Sequence, residues 1–106
     1  MKKYKKLSLI LNFEVKDKDD PKQMTWHDAM KKYDSKGKGK WRLPTKDELN
    51  LLYLKKDIVG VFADSGYWSS SENLADYAWV QYFSNGLQAS LNKKYLASYV
   101  RCVRSI

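Results

Sequence analysis

The sequence predicts a single α+β domain in which one strand and two helices precede a strand-rich C-terminal half. Apolar residues alternate with other residues near the N-terminus, two capped stretches carry apolar residues at helical spacing, and an Asn-Gly turn separates two later segments of strand character. A length of 106 residues suits one domain. A hydrophobic share of 43% argues against intrinsic disorder.

The first predicted strand spans residues 7–15. Apolar residues recur at every second position: Leu7, Leu9, Leu11, Phe13 and Val15. The basic start resembles the front of a signal peptide, but the apolar run stops at Asn12 and Glu14 without a small-residue cleavage site. We therefore interpret this run as a strand, expect no signal peptide, and find no stretch with the length of a membrane span.

Two helices are predicted next. Thr25 is a suitable N-cap, and the residues after it recur at spacings of three and four: Trp26, Ala29, Met30 and Tyr33. The Lys- and Gly-rich stretch 35–40 breaks this helix. Thr45 and Glu48 then form a capping box, and the apolar stripe behind it consists of Leu49, Leu52 and Tyr53.

The C-terminal half changes from helical spacing to strand patterns. A loop from Gly60 to Gly66 leads to a segment that begins at Tyr67. Two strands, 78–83 and 87–91, flank the turn Ser84-Asn85-Gly86, and a last strand covers 99–104. These segments complete the predicted α+β order.

The charge balance favours acidic partners. The chain carries 20 Lys and Arg against 12 Asp and Glu, a formal net charge of +8. Five lysines, at positions 31, 32, 36, 38 and 40, form a basic stretch without the interleaved aromatic residues of single-strand nucleic-acid binders. We interpret it mainly as a solvated loop, and nucleic acid is a disfavoured partner.

No catalytic or metal site is predicted. Arg42 and Glu48 invite an acid–base interpretation, but the capping box favours a structural pair in which a carboxylate, such as that of Glu48, holds Arg42. His27 is the only histidine and has no spaced ligand pair around it. The serines at 69–71 lack a nucleophile elbow. Cys102, the single cysteine, lies in an apolar strand, which indicates a buried and inert thiol in a reducing compartment.

Five blocks resemble a bacterial and phage domain family with a C-type-lectin-like fold. The blocks are Trp26-x-x-Ala29, the Trp-Arg-Leu-Pro-Thr run 41–45 with Glu48-Leu49, the Tyr-Trp-Ser-Ser run 67–70, Ala78-Trp79 with Phe83 and Gly86, and the Val-Arg-Cys-Val-Arg run 100–104. The family includes the C-terminal domain of a collagen-like adhesin and is similar to the variable proteins of diversity-generating retroelements. The resemblance extends from about Trp26 to Arg104.

The resemblance implies a fold and a class of function. It implies two helices packed on a small antiparallel sheet, with the N- and C-terminal strands paired, and a non-enzymatic domain over residues 1–106 that binds a macromolecular ligand, either a protein or an acidic glycan. An oligomer is compatible with it. The calcium-site sequences of sugar-binding C-type lectins are missing, so calcium-independent binding without a cofactor is expected.

This chain departs from the pattern of the family at one position. Where many relatives have a cysteine that looks like the partner of Cys102, this chain has Tyr33. A cytoplasmic or phage-associated member therefore fits better than a secreted one with a disulfide. The formylglycine-generating oxygenases share the fold, but they need a pair of active-site cysteines, so an enzyme of that kind is the less favoured alternative.

The candidate ligand contacts are tyrosines and apolar residues of the late strands and loops. They are Tyr77, Tyr82, Leu87, Ala89, Leu91, Tyr95 and Tyr99. Tyrosine offers contact area with few rotatable bonds and with both apolar and polar character. All seven residues are of types, namely Tyr, Leu and Ala, that can arise when the two adenines of an AAC codon are randomised, as the retroelement hypothesis requires. The alternative is a set of ordinary surface residues.

Overall fold

The computed structural model describes residues 12–33 and 40–105. Its elements are β1 (Phe13–Val15), α1 (Trp26–Lys32), α2 (Lys46–Leu54), α3 (Lys56–Val59), β2 (Gly66–Glu72), β3 (Tyr77–Tyr82), β4 (Gln88–Asn92) and β5 (Val103–Ser105). The predicted α+β order of strand, helices and strands is confirmed. The expected strand positions 7–11 and most of the expected helix break, 35–39, lie outside the described residues.

The strands form two antiparallel sheets where one small sheet was expected. β1 pairs with β5, which confirms the pairing of the N- and C-terminal strands, and β2, β3 and β4 form the second sheet in that order. The other edge of β5 is occupied, because the main chains of Arg42 and Val103 exchange hydrogen bonds of 2.8 and 2.9 Å. The terminal pair is therefore separate from the three-stranded sheet.

Both predicted helix starts are confirmed. The Thr25 hydroxyl accepts a hydrogen bond from the Asp28 N–H, and Thr45 forms a capping box with Glu48. The short helix α3 was not predicted, because four residues offer too little apolar periodicity to reveal a helix. Among the described residues, no helix combines the length and apolar character needed to cross a membrane.

The two longer helices lie on opposite faces of the three-stranded sheet. Neighbouring residues of a strand point to opposite faces, and the adjacent β2 residues Tyr67 and Trp68 belong to different core clusters. On one face α2 and the terminal strands form the first core cluster: Phe13, Val15, Leu49, Leu52, Val59, Tyr67, Phe83 and Val103. On the other face α1 contributes to the second core cluster: Trp26, Ala29, Leu43, Trp68, Ala78, Val80, Val100 and Cys102.

The last predicted strand is shorter than expected. Residues 98–102 do not continue β5, because Ser98 bridges Met24 and Tyr99 bridges Tyr67, whereas β5 itself begins at Val103. Each part of this segment bonds to a different element. A single period-two pattern in the sequence therefore serves several separate pairings.

The β3–β4 turn depends on Gly86. Its backbone has φ +82°, and a Cβ there would come within 2.5 Å of the Tyr53 ring. A side chain at this position would meet both backbone strain and a close aromatic neighbour. The predicted Asn-Gly turn is therefore also the point where the hairpin packs against α2.

Candidate functional site

Arg42 and Glu48 form a structural ion pair, as predicted. The Arg42 guanidinium donates to the two carboxylate oxygens of Glu48 at 2.7 and 2.9 Å, and also to Ser105 Oγ at 3.2 Å. Glu48 Oε1 additionally accepts from the Thr45 N–H at 2.9 Å. The pair therefore connects the start of α2 to β5, and the charged groups of both side chains form hydrogen bonds within the fold.

The environment of Glu48 keeps its carboxylate charged. Burial alone would raise the pKa of Glu48, but hydrogen bonds from Arg42 and from Thr45 outweigh it and hold the pKa below its ordinary value. A general acid at neutral pH needs the opposite shift. The motif around Arg42 thus stabilises structure and is not arranged for proton transfer.

Arg101 is a second buried cation, which sequence reasoning did not single out. Its side chain is 2% exposed, and Nε donates to Asp19 Oδ1 at 2.8 Å. Its other nitrogens donate to the main-chain oxygens of Lys16 and Val61. The only available signal was an arginine between apolar strand residues, which in a core requires a nearby carboxylate.

Asp19 is shared between two buried groups. Its Oδ1 accepts from Arg101, and its Oδ2 accepts from the Tyr67 hydroxyl at 2.7 Å. The same hydroxyl accepts from the Ala63 N–H at 2.8 Å. Burial and the Asp19 carboxylate raise the pKa of Tyr67 above its ordinary value, so this hydroxyl stays protonated and acts as a structural donor.

Cys102 is a buried free thiol, and it lies near Tyr33, the position at which the resemblance places a partner cysteine. Both residues line one cleft of about 440 Å³ beside the segment 16–21. Cys102 is 3% exposed, and burial raises its pKa to about 12. The Tyr33 hydroxyl donates to Asp20, which also pairs with Lys32 at 2.7 Å. The thiol is therefore protonated, which disfavours a nucleophilic role.

Two of the candidate tyrosines lie at one end of the three-stranded sheet. Tyr77 is 40% exposed and Tyr95 is 75% exposed. Tyr77 pairs with Asn92, whose side chain accepts from the Tyr95 N–H, and the Lys93 N–H donates to Asp76 O. The two turns are thus adjacent. We call the surface formed by Leu74, Tyr77 and Tyr95 the tyrosine end.

Leu74 was not among the candidates, yet it is 77% exposed at the tyrosine end. Its backbone is left-handed, with φ +68°, a conformation that costs a non-glycine residue about 1–2 kcal/mol. The turn closes by a bond from the Asn73 N–H to Tyr77 O at 2.8 Å. A large apolar side chain therefore projects into solvent from a turn held by hydrogen bonds.

A buried lysine supports this end from inside. Lys93 is 3% exposed, and its Nζ donates to Glu72 at 2.5 Å and to Ala75 O at 2.7 Å. The ammonium also lies 4.4 Å from the centre of the Trp26 ring. One cation thus ties together the end of β2, the turn before β3 and the start of α1.

The remaining candidates are distributed more widely. Tyr82, Ala89 and Leu91 are half-buried and pack against the second core cluster, and half-buried Tyr99 packs against the first, with its ring 5.5 Å from that of Tyr67. Leu87 is exposed at the hairpin turn. Strand alternation suggested outward side chains for Tyr82 and Tyr99, but Tyr82 packs partly against the second core cluster and Tyr99 packs against Tyr67.

A small polar cleft lies next to the tyrosine end. Its volume is about 270 Å³, and its lining consists of His27, Asp76, Asn92, Lys93, Lys94 and Tyr95. The Lys94 ammonium is 5.7 Å from the Tyr95 ring centre. Among the described residues, no group of three or more His, Cys, Asp and Glu side chains is arranged to hold a metal ion.

Comparison with known proteins agrees with the motif resemblance. The family model described as the Lcl C-terminal domain matches residues 6–104. No curated protein matches the chain. The match includes the structural pairs of Arg42 and Arg101 as well as the whole tyrosine end.

Proposed function

Because the chain belongs to the Lcl C-terminal domain family, a family of lectin-like binding domains, we propose that it binds a macromolecular ligand through the tyrosine end. The observation that carries the proposal is the exposure of Leu74, Tyr77 and Tyr95 on adjacent turns. Clustered exposed apolar and aromatic side chains are typical of interaction sites. The charged motif residues Arg42 and Arg101 form ion pairs inside the fold, and this favours the tyrosine end as the binding surface.

The support beneath these residues favours binding by a preformed surface. The Lys93 ammonium bonds within the turn, and Asn92 Oδ1 accepts from the N–H groups of Lys94 and Tyr95 at 2.9 and 3.1 Å. A turn that is already ordered loses little conformational entropy when a ligand arrives. Tyr77 and Tyr95 can then supply aromatic contact area at low entropic cost.

A double variant tests the site. We expect Tyr77→Ala with Tyr95→Ala to weaken binding by about 30-fold, which corresponds to roughly 2 kcal/mol. The measurement is surface-immobilised binding against defined bacterial surface proteins and glycans, with the parent chain setting the reference. Val61→Ala is a matched control, because Val61 is 85% exposed at a distant loop. Equal losses in control and double variant, or none in either, would contradict the proposal.

An acidic glycan is the second candidate ligand class, favoured by the basic groups near the tyrosine end. Lys94 and His27 line the small cleft beside Tyr95, and the chain carries a net charge of +8. Heparin serves as a sulfated probe for this alternative. If charge dominates, affinity falls steeply between 50 and 500 mM salt and the tyrosine changes have little effect. If shape dominates, the tyrosine changes matter more than salt.

The finer form of the proposal is a variable protein diversified by a retroelement. Tyr77, Leu87 and Tyr95 are exposed, so the fold would tolerate many residues there, whereas Ala89 and Leu91 pack partly against the core. Sequencing the surrounding DNA tests this form. The expected result is a template repeat that has adenines where these codons differ from it, next to a reverse-transcriptase gene. Without such a repeat, the retroelement form of the proposal fails, and the proposal of a binding domain whose sequence is not diversified remains.

A further inference from the structure

The strand β4 is an edge strand, and its hydrogen-bonding pattern identifies the groups that point outward. Bonds from the Tyr82 N–H to Leu87 O and from the Lys93 N–H to Asp76 O mark the two ends of the β3–β4 ladder. Antiparallel pairs alternate between bonded and non-bonded positions. Residues 87, 89, 91 and 93 therefore bond toward β3, while the main-chain groups of Gln88, Ser90 and Asn92 face away from the sheet.

The two edges of this sheet differ. On the outer side of β2, the Trp68 N–H donates to Tyr99 O, the Tyr99 N–H donates to Gly66 O, and the Ser70 N–H donates to Pro44 O. On the outer side of β4, no residue of the described ranges 12–33 and 40–105 forms a main-chain bond with Gln88, Ser90 or Asn92. Within the residues that the structure describes, the β2 edge is covered and the β4 edge is open for pairing.

The open edge also lacks the features that normally prevent strands from pairing. Natural edge strands are protected by charged residues, prolines or bulges. β4 reads Gln-Ala-Ser-Leu-Asn, with no charge and no proline, and its register against β3 is continuous. In a chain with a net charge of +8, this neutral strand is a surface that another strand can approach.

We infer that β4 pairs with β4 of a second copy in an antiparallel, two-fold symmetric dimer. The strand is self-complementary when Ser90 lies opposite Ser90 of the second copy, because Gln88 then lies opposite Asn92 on both sides. All three outward-facing residues fall at bonded positions in this register, which gives about six main-chain hydrogen bonds across the axis. A two-fold interface requires this self-matching.

The side chains fit the same register. Gln88 Nε2 already donates to Lys46 O and Gln81 Oε1, and Asn92 Oδ1 already accepts from the Lys94 and Tyr95 N–H groups. This leaves the side-chain oxygen of Gln88, Oε1, as an acceptor and the side-chain nitrogen of Asn92, Nδ2, as a donor. In the paired strands these two side-chain groups face each other across the two-fold axis. On the opposite face Ala89 lies against Leu91 of the second copy, so apolar groups meet apolar groups.

The proposed dimer edge adjoins the proposed ligand surface without including its exposed side chains. Leu74, Tyr77 and Tyr95 all lie outside β4, whereas Asn92 belongs to the paired strand and also holds the Tyr95 turn. Each copy carries a charge of +8, and the two repel each other over long range. The dimer therefore strengthens as salt rises, whereas binding of a polyanion weakens.

Cysteine cross-linking in a glutathione redox buffer tests the register. In a bonded antiparallel pair the two Cα atoms are about 5.5 Å apart, within the range that a disulfide spans. Ser90→Cys should therefore form a covalent dimer. Gln88→Cys is the matched control, because the Cα atoms of the two copies of this residue lie about 15 Å apart, and it should cross-link only when mixed with Asn92→Cys. The parent chain, whose Cys102 is buried, reports the background.

The mass in solution provides the second test. Sedimentation equilibrium should give a dimer for the parent chain and at least tenfold weaker dimerisation for Ser90→Lys, which places two like charges opposite each other. Ser84→Lys adds the same charge at the exposed hairpin turn and should remain dimeric. Thermal melting verifies that both variants fold. A parent chain that stays monomeric up to about 1 mM, or equal cross-linking of Ser90→Cys and Gln88→Cys alone, would overturn the inference.

Discussion

Two regions of this domain use their side chains in opposite ways. In the anchored region, defined by the Arg42–Glu48 pair, the Arg101–Asp19 pair and Cys102, every one of these charged groups has a partner and the side chains are buried or half-buried. At the tyrosine end, Leu74, Tyr77 and Tyr95 project into solvent.

The difference separates recognisable motifs from the surface available for binding. Two of the motif residues on which the resemblance rests, Arg42 and Cys102, lie inside the anchored region and help to hold the fold. The tyrosine end depends on that geometry but contributes little to it. Substitutions in the first region should therefore change stability, and substitutions in the second should change binding.

The largest expected loss of stability comes from Arg101→Ala. Arg101 is fully buried, and its removal leaves the half-buried Asp19 without its cation and two main-chain oxygens without their donor, so the free energy of unfolding should fall by about 3–5 kcal/mol. Urea denaturation measures the loss. Lys31→Ala, which removes an exposed cation, is the control and should stay within about 0.5 kcal/mol of the parent. A stable Arg101→Ala variant would break the comparison.

Arg42→Ala should be the next most damaging change. Arg42 is partly exposed, so we expect a loss of about 2–3 kcal/mol, below the value for a fully buried pair. A double-mutant cycle with Glu48→Gln measures the interaction itself. If Arg42→Ala melts like the parent but loses ligand binding, Arg42 belongs to the binding surface instead.

Cys102→Ala should cost about 1–3 kcal/mol through lost packing, with no change in ligand binding. The native thiol should react with a labelling reagent only after unfolding, because it is buried and its pKa is raised to about 12. Denaturant-dependent labelling, followed by mass spectrometry, checks both points. Rapid labelling of the folded protein would show that the cleft beside Tyr33 exposes the sulfur.

Acid should destabilise the anchored region and the neighbouring contacts of Asp20 with Lys32 and Tyr33. Hydrogen bonds and opposite charges overcome the effect of burial and hold the pKa values of Glu48 and Asp20 below their ordinary values of 4.5 and 3.8. The carboxylates therefore stabilise the fold fully above those values, and that contribution is lost as the pH falls through the lower folded pKa values. Urea unfolding between pH 6 and 3 should show this decline, and Glu48→Gln should make it shallower.

The smallest effect on stability is expected at the tyrosine end. Tyr77→Ala and Tyr95→Ala remove exposed rings, so each should change the free energy of unfolding by less than about 0.5 kcal/mol. Thermal melting of each single variant is the measurement. A loss above 1 kcal/mol would mean that the ring supports the turn, and the distinction between the two regions would not hold there.

Local features of the sequence were sufficient to predict much of the secondary structure. Thr25 and Thr45 mark the starts of α1 and α2, because an N-cap acts on amide groups two or three residues away. Asn85-Gly86 marks the hairpin, since the turn needs a positive φ at Gly86. The Arg42–Glu48 pair was also predictable from the capping box beside it. These features all arise within a few residues of chain.

Only the tertiary structure decided which side chains are exposed and which edges are open. Strand alternation assigns Tyr77 and Tyr99 to similar positions, yet the 98–99 segment packs Tyr99 against Tyr67 while Tyr77 remains at a free end. Asp19 and Arg101 are 82 residues apart in sequence. Their pairing, like the difference between the covered edge of β2 and the open edge of β4, depends on segments that meet only after folding, and no local pattern encodes such meetings.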